Sequence, residues 1–356
     1  MSLFVISEQV GLDGYWITDI LSGIKKEADK KNLHIETFPL DYTAYGDSSP
    51  VVLVVGYSPE WITSACRRAV RCGARPVAVN VPSSACSDIA SASVAFDYQK
   101  AIKTALSYLS GCKKRRVAFL GSRENRLSFD CKKSAFEEQI KSFFEGDARI
   151  FEGASIAEAV ASFLPYAGGF DAIVCSRDAE GGYLAAQLQK KRIPMPFIIS
   201  FGDSEMAQYF TPSLTAFKTD FSALGEEAVR LSRFVSNGGC EGFVSSMVEC
   251  PLIVRDSTDG RVCASDSAEP YFPSPSYQSD PEYIAYLRAE ELVRSWDALD
   301  RSIVECLLEG RNTVEIAEKL FISSSSVKYR IKKMLTAADL EGRAKLVALV
   351  KRYGIL

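Results

Sequence analysis

The sequence predicts an α/β protein: a doubly wound core of two lobes, followed by a separate all-α unit. Three observations carry this. Over residues 3–258 short apolar runs alternate with longer helix-patterned stretches, a proline- and serine-rich segment follows, and helical periodicity resumes from 282 to the end. Near-continuous apolar strands separated by helices are the pattern of parallel sheets covered on both faces. So many units fit two sheets better than one. The expected divisions are a core at 1–258, a linker at 259–281 and a helical domain at 282–356.

Strands are expected at 3–6, 51–55, 76–79, 116–120, 172–175 and 197–201, each a short apolar run. Helices are expected between them at 17–31, 59–72, 100–110, 131–144 and 181–191. After Thr258 the composition changes. Pro270, Pro273, Pro275 and Pro281 stand among small polar residues, a composition that holds neither helix nor strand. Some 18 such residues span roughly 25 Å as a random coil and cannot act as a lever. Any signal between the two units therefore needs the helix at 282–296, or the whole helical domain, to dock on the core or on a second copy.

Pro281 suits the first position of a helix running to about 296, with Ile284, Leu287, Leu292 and Trp296 near one face. A second helix from Leu299 is stopped by Gly310. Asn312 or Thr313 caps a third over 314–320, and Phe321 with Ile322 makes a tight turn. Ser323 caps a fourth over 324–335. A last helix over 343–353 points Leu346, Leu349 and Val350 inward.

The net charge of −3 gives the whole chain no basic character. The end is different. From Lys319 onward nine basic residues stand against only Asp339 and Glu341, so a local patch is basic while the remainder is acidic.

The stretch 309–334 strongly resembles a LuxR-type helix-turn-helix domain. Gly310, Glu315, Ile316, Ala317, Ile322, Ser323, Val327 and Lys328 fall in that family's register. It departs at 296–300 and again at 340–343, outside the groove-facing helix. The resemblance implies double-stranded DNA as a partner, with Val327 and Ile331 in the core. It also implies DNA contacts drawn from Thr313, Ser324, Ser325, Lys328, Tyr329, Arg330, Lys332 and Lys333, with Lys328 foremost. Lysines would meet phosphates, while Tyr329 and Arg330 could reach base edges. The bland alternative is a solvated, charged helix face.

The first 258 residues resemble the effector-binding core of LacI/GalR-type repressors, which share the periplasmic-binding-protein-like fold. Segments 170–178, 185–188, 198–203, 211–215, 224–228 and 251–258 agree in order and spacing. The resemblance implies a small-molecule effector between the lobes and a homodimer. Carried over by position, its ligand contacts are Tyr15, Trp16, Asp97, Ser128, Lys132, Asp178 and Asp203. For Tyr15 and Trp16 the competing reading is core packing, and for Asp178 it is helix capping. Lys132 stands where the family usually has an arginine, and Gly202 where it usually has a ligand-binding aspartate. Arginine and lysine are not interchangeable at a bidentate site, so either the ligand differs or the core has become a dimerisation or docking module. The family's DNA reader precedes its core; here the expected reader follows it.

Other classes fit less well. No phosphate-binding glycine loop, nucleophile elbow or metal-ligand cluster is present, so no cofactor, metal or enzymatic activity is expected. Arg123, Asp130, Glu137 and Glu138 read as surface-helix residues. A phosphoacceptor receiver domain would be about half this length and needs acidic residues beyond Glu8. Ten cysteines without CxxC spacing suggest reduced thiols. The single histidine, His34, reads as a surface residue. The opening residues read as a buried strand rather than a secretory segment, and no apolar run spans a bilayer. A cytoplasmic protein is expected.

Overall fold

The computed structural model describes residues 2–8, 15–38, 49–56, 58–122, 127–145, 148–239, 242–260 and 281–355. The expected linker falls almost entirely at 261–280, outside the described residues, as does Arg123.

Lobe one is built from β1 (Ser2–Ser7), α1 (Tyr15–Lys30), β2 (His34–Thr37), β3 (Val51–Val55), α2 (Pro59–Arg71), β4 (Arg75–Val79) and β5 (Ala92–Phe96). The chain then crosses to lobe two: α3 (Tyr98–Gly111), β6 (Val117–Ser122), α4 (Leu127–Phe143), β7 (Arg149–Gly153), α5 (Ile156–Phe163), β8 (Ala172–Cys175), α6 (Asp178–Lys191), β9 (Phe197–Gly202) and β10 (Thr215–Lys218). It returns to lobe one for α7 (Phe221–Ser236) and β11 (Val244–Val248), and crosses a third time for β12 (Leu252–Ile253). The sheets run β11-β5-β4-β3-β1-β2 and β12-β10-β9-β8-β6-β7. All pairings are parallel except β10 with β12.

All five residues of β3 are buried, as expected for a central strand covered by helices on both faces. One cover is the α1–α7 pair. Its close approach depends on glycine: a Cβ at Gly23 would collide with the Ser222 carbonyl, and one at Gly225 with the Ile20 carbonyl. Lobe two is tied to its last described turn by Tyr108 and Thr215, whose hydroxyls both bond Thr258 Oγ1, at 2.8 and 2.7 Å. His34 opens edge strand β2 and is exposed. None of the eight described cysteines is in a disulfide.

Five helices follow: α8 (Pro281–Arg294), α9 (Ala298–Leu308), α10 (Thr313–Lys319), α11 (Ser324–Ala337) and α12 (Arg343–Tyr353). Local sequence sets their ends. Asp297 with Asp300, and Asn312 with Glu315, form capping boxes, Ser323 caps α11, and Gly310 takes φ +82° after α9.

This unit does not stand apart. One continuous apolar cluster joins lobe-two residues such as Phe163, Leu188, Met206 and Phe210 to Tyr286, Leu292, Trp296 and Tyr353 of the helical unit. Tyr286 packs on Phe210 (6.4 Å between centroids) and against Tyr353 (6.0 Å), and its hydroxyl bonds Ser204 Oγ at 2.5 Å. Arg301 lies over the Tyr209 ring at 4.8 Å. Each fully buried large side chain contributes roughly 1.5–3 kcal/mol. Docking, which the sequence required for any signal between the units, is present through α8 and α12.

Candidate functional site

The carboxyl end of β8 delivers Asp178 to the start of α6, and the end of β9 delivers Gly202 and Asp203 beside it. Asp178 is 2% exposed and accepts hydrogen bonds from Ser200 Oγ (2.5 Å) and the Ser204 amide (2.8 Å). Burial raises its pKa to about 6, against the lowering effect of those bonds. It clamps the loop after β9 onto α6. Within that loop Gly202 has φ +133° and Asp203 has φ +53°. Asp203 pairs with Arg255 at 2.6 Å.

Lys132 projects from α4 to the same joint and is 3% exposed. Its ammonium donates to the Ser176 carbonyl at 3.0 Å and lies 4.5 and 4.8 Å from the Tyr98 and Phe201 ring centroids. Those rings belong to a chain of aromatic contacts that crosses between the lobes. Trp16 meets Phe221 (5.7 Å), Phe221 meets Phe96 (5.2 Å), Phe96 meets Tyr98 (5.9 Å), and Tyr98 meets Phe201 (5.8 Å). Trp16 is therefore core. Asp97 caps α3 through the Lys100 amide (2.8 Å), and Ser128 is half-buried on α4. The Tyr15 side chain lies outside the described residues. Asp130, expected on a helix surface, is instead buried, which pushes its carboxyl up to about 7; Glu137 and Glu138 are exposed as expected.

On α11, Val327, Ile331 and Met334 are buried, and Ser325, Lys328, Tyr329 and Lys332 share the opposite, solvent-facing side. Tyr329 is 72% exposed. Ser324 is half-buried and Thr313 is buried at the start of α10. Arg330 turns inward, bonding Asp297 Oδ2 and Asp300 Oδ1 at 2.7 Å each. This ties α11 to the cap of α9. Lys333 is exposed but leans the same way, 3.7 Å from Asp300. Phe321, at the turn between α10 and α11, is 95% exposed with φ +54°.

A family model described as a periplasmic binding protein-like domain matches residues 106–258. Solved structures agree over a longer span. The Lac repressor bound to ONPG is 14% identical with a TM-score of 0.54, covering 72% of this chain and 82% of that one. A LacI family regulator from Arthrobacter sp. FB24 in complex with lactose is 18% identical with a TM-score of 0.53, covering 73% and 99%. A LacI family regulator from Clostridium acetobutylicum is 16% identical with a TM-score of 0.52, covering 72% and 99%. The core has the periplasmic-binding-protein-like fold. No curated protein matches the chain in sequence.

The periplasmic-binding-protein-like core and the helical unit together line one feature the sequence reading missed. It is a cavity of about 450 Å³ between the loop after β9, the β10–α7 crossover, α1 and α8. Asp203 lines it, but so do Asp19, Glu205, Glu290 and Arg294. Glu290 carried a readable signal. It lies four residues after Tyr286 and three after Leu287, which puts a carboxylate on the apolar face of α8. Arg294, four residues further on the same helix, follows from the same spacing, whereas Asp19, Asp203 and Glu205 come near Glu290 only through lobe crossing and docking.

Proposed function

We propose that the protein is a transcriptional regulator that binds double-stranded DNA through a helix-turn-helix formed by α10 and α11. A small molecule held between the lobes controls that binding. The observation that carries this is the outer face of α11. It presents Ser325, Lys328, Tyr329 and Lys332 together, backed by a buried Val327-Ile331-Met334 stripe and a serine cap. A basic, aromatic-bearing helix fixed by its partners is what a major groove accepts. Lys333 serves the phosphates beside it. Arg330 and Thr313 act as structure: the first braces α11 against α9, and the second is buried beneath α10. Two copies, acting as a homodimer in the cytoplasm, would read two half-sites.

The fold likeness to regulators holding ONPG or lactose supports the small-molecule part. The docking of α8 and α12 supports the coupling. With lobe two and the helices sharing one apolar cluster, lobe closure moves the DNA reader without help from the linker. The test is fluorescence anisotropy with a selected duplex, comparing wild type and Lys328→Ala across salt. The expectation is weaker binding and a salt dependence flatter by roughly one phosphate contact. Equal affinity and slope would remove the assignment.

A second reading has its own observation. The aromatic chain from Trp16 to Phe201, with Lys132 seated on it, fills ground between the lobes. On that reading the core serves dimerisation or partner docking. DNA affinity that no small molecule alters would favour it.

A further inference from the structure

The two ends of lobe two differ in charge. The carboxyl ends of its strands carry the buried clamp around Asp178, while the amino ends carry cations. Lys113 and Arg115 stand in the run that leads into β6, and Lys190, Lys191 and Arg192 close α6 before β9. β6 and β9 flank β8 and run parallel to it, so their amino ends lie two strand spacings apart, roughly 10 Å. A direct contact joins the two runs: the Lys114 ammonium sits over the ring of Phe197, the first residue of β9, at 3.4 Å. The strip continues onto the helical unit. Gln189, near the end of α6, donates to the Thr211 carbonyl at 2.5 Å, and the Thr211 hydroxyl donates to the carbonyl of Gly354, which caps α12. The last turn of α12 adds Lys351.

These six cations are exposed, and among the described residues none of them is in an ion pair. Arg116 differs, being held by Asp171 at 2.8 Å. Basic residues at helix ends commonly do no more than offset the backbone dipole. α3, α6 and α12 all end here, and their three carboxyl termini carry about −1.5 elementary charges together. Six cations and Lys114 exceed that charge and the bordering acids Glu145, Asp256 and Asp259 combined, in a chain whose net charge is −3. An uncompensated, exposed run of cations attracts a polyanion. Of the large exposed apolar side chains among the described residues, only Tyr166, in the turn before β8, lies at this end. The apolar centre of a protein interface is therefore lacking.

We propose that this strip is a second DNA-contacting surface, which holds the phosphate backbone of duplex flanking the site read by α11 without reading its sequence. The proposal rests on the DNA-binding reading above and gives the core a share in it. α12 joins the strip to the reader, since it packs on α6 and also against α11.

The test is fluorescence anisotropy of the full-length chain on two duplexes sharing one selected site, about 25 bp and about 60 bp long, the longer extended by random flanks. Wild type should bind the longer one about tenfold more tightly. Lys190→Ser, Lys191→Ser and Arg192→Ser together should abolish that advantage and flatten the logarithmic salt slope on the long duplex by about 2.7. Lys113→Ser with Arg115→Ser should reduce the advantage from a separate loop, which keeps the test alive if the α6 variant misfolds. Lys25→Ser, Arg67→Ser and Arg71→Ser together remove three exposed cations from lobe one and should leave the advantage intact. No advantage in wild type, or an equal loss in the lobe-one variant, overturns the strip. So does a strip variant that keeps the advantage, which leaves these cations to an acidic protein partner. Lys328→Ala separates the two proposals, since it should weaken binding to both duplexes and preserve the ratio between them. Binding without sequence preference, with a ratio that still depends on 190–192, would keep the strip and remove the reader.

Discussion

The Asp178 carboxylate occupies the space a side chain at position 202 would need: its Oδ2 lies 2.8 Å from where a Cβ on Gly202 would stand. The same carboxylate bonds Ser200 and Ser204, so it cannot swing aside without releasing the loop. The glycine that looked like a lost ligand-binding aspartate is thus a steric requirement of the clamp. Asp203 is carried one place along and paired to Arg255.

Gly202→Ala should destabilise the chain by about 1–3 kcal/mol, combining left-handed strain with the Asp178 contact. Thermal unfolding measures it. Gly202→Ala in an Asp178→Ala background should cost clearly less, and a purely additive pair would show that the two side chains do not compete.

Glu290 and Asp178 have pKa values of about 7 and about 6, raised from 4.5 and 3.8 chiefly by burial. An acid whose pKa rises on folding stabilises the fold fully below its unfolded value. That stability is lost as pH climbs through the folded value. Relative to Glu290→Gln, the wild type should therefore lose stability between about pH 5 and pH 8, at no more than about 1.4 kcal/mol per pH unit. A difference that stays flat with pH contradicts a Glu290 pKa raised by burial despite its Arg294 partner.

Arg330→Ala should act on stability more than on base recognition. Its guanidinium is half-buried and bonds Asp300, whose side chain is fully buried, so the loss leaves that carboxylate only the Asp297 amide and the more distant Lys333, at a cost of about 1–2 kcal/mol. Chemical denaturation reads the cost. A selected-site profile unchanged from wild type, alongside the altered profile of Tyr329→Ala, would separate brace from reader.

Tyr286→Phe removes the hydroxyl bonded to Ser204 and should cost about 1 kcal/mol. Tyr286→Ala also removes the ring between Phe210 and Tyr353 and should cost about 3–5 kcal/mol. Limited proteolysis should then cut the alanine variant near residue 280 much faster than wild type. Equal cutting would mean that Tyr286 does not hold the helical unit on lobe two.

The strands that sequence reading finds are the sheet centres. Of the six it leaves unnamed, β2, β7, β11 and β12 are the four sheet edges, and β5 and β10 lie next to an edge. At the four edges the reason is burial, while β5 and β10 are largely buried but mix alanine, serine or threonine into their runs and so do not read as apolar blocks. β3 is covered on both faces and reads as an apolar block, whereas β11 alternates half-buried and exposed positions and carries two serines. The helical unit was legible almost to the residue, because Asn312, Ser323 and Gly310 act within one turn of the ends they set.

What the sequence determined by itself is local: strand and helix periodicity, caps, and a helix whose basic face opposes its apolar stripe. Such features depend on neighbours within about four residues. Tertiary structure alone decided which charges are available. It turned Arg330 inward to Asp300, seated Lys132 on Tyr98 and Phe201, and buried Glu290 where α8 meets both lobes. Those outcomes follow from partners about 30–270 positions away, brought near only by lobe crossing and docking, and no reading of spacing along the chain contains them.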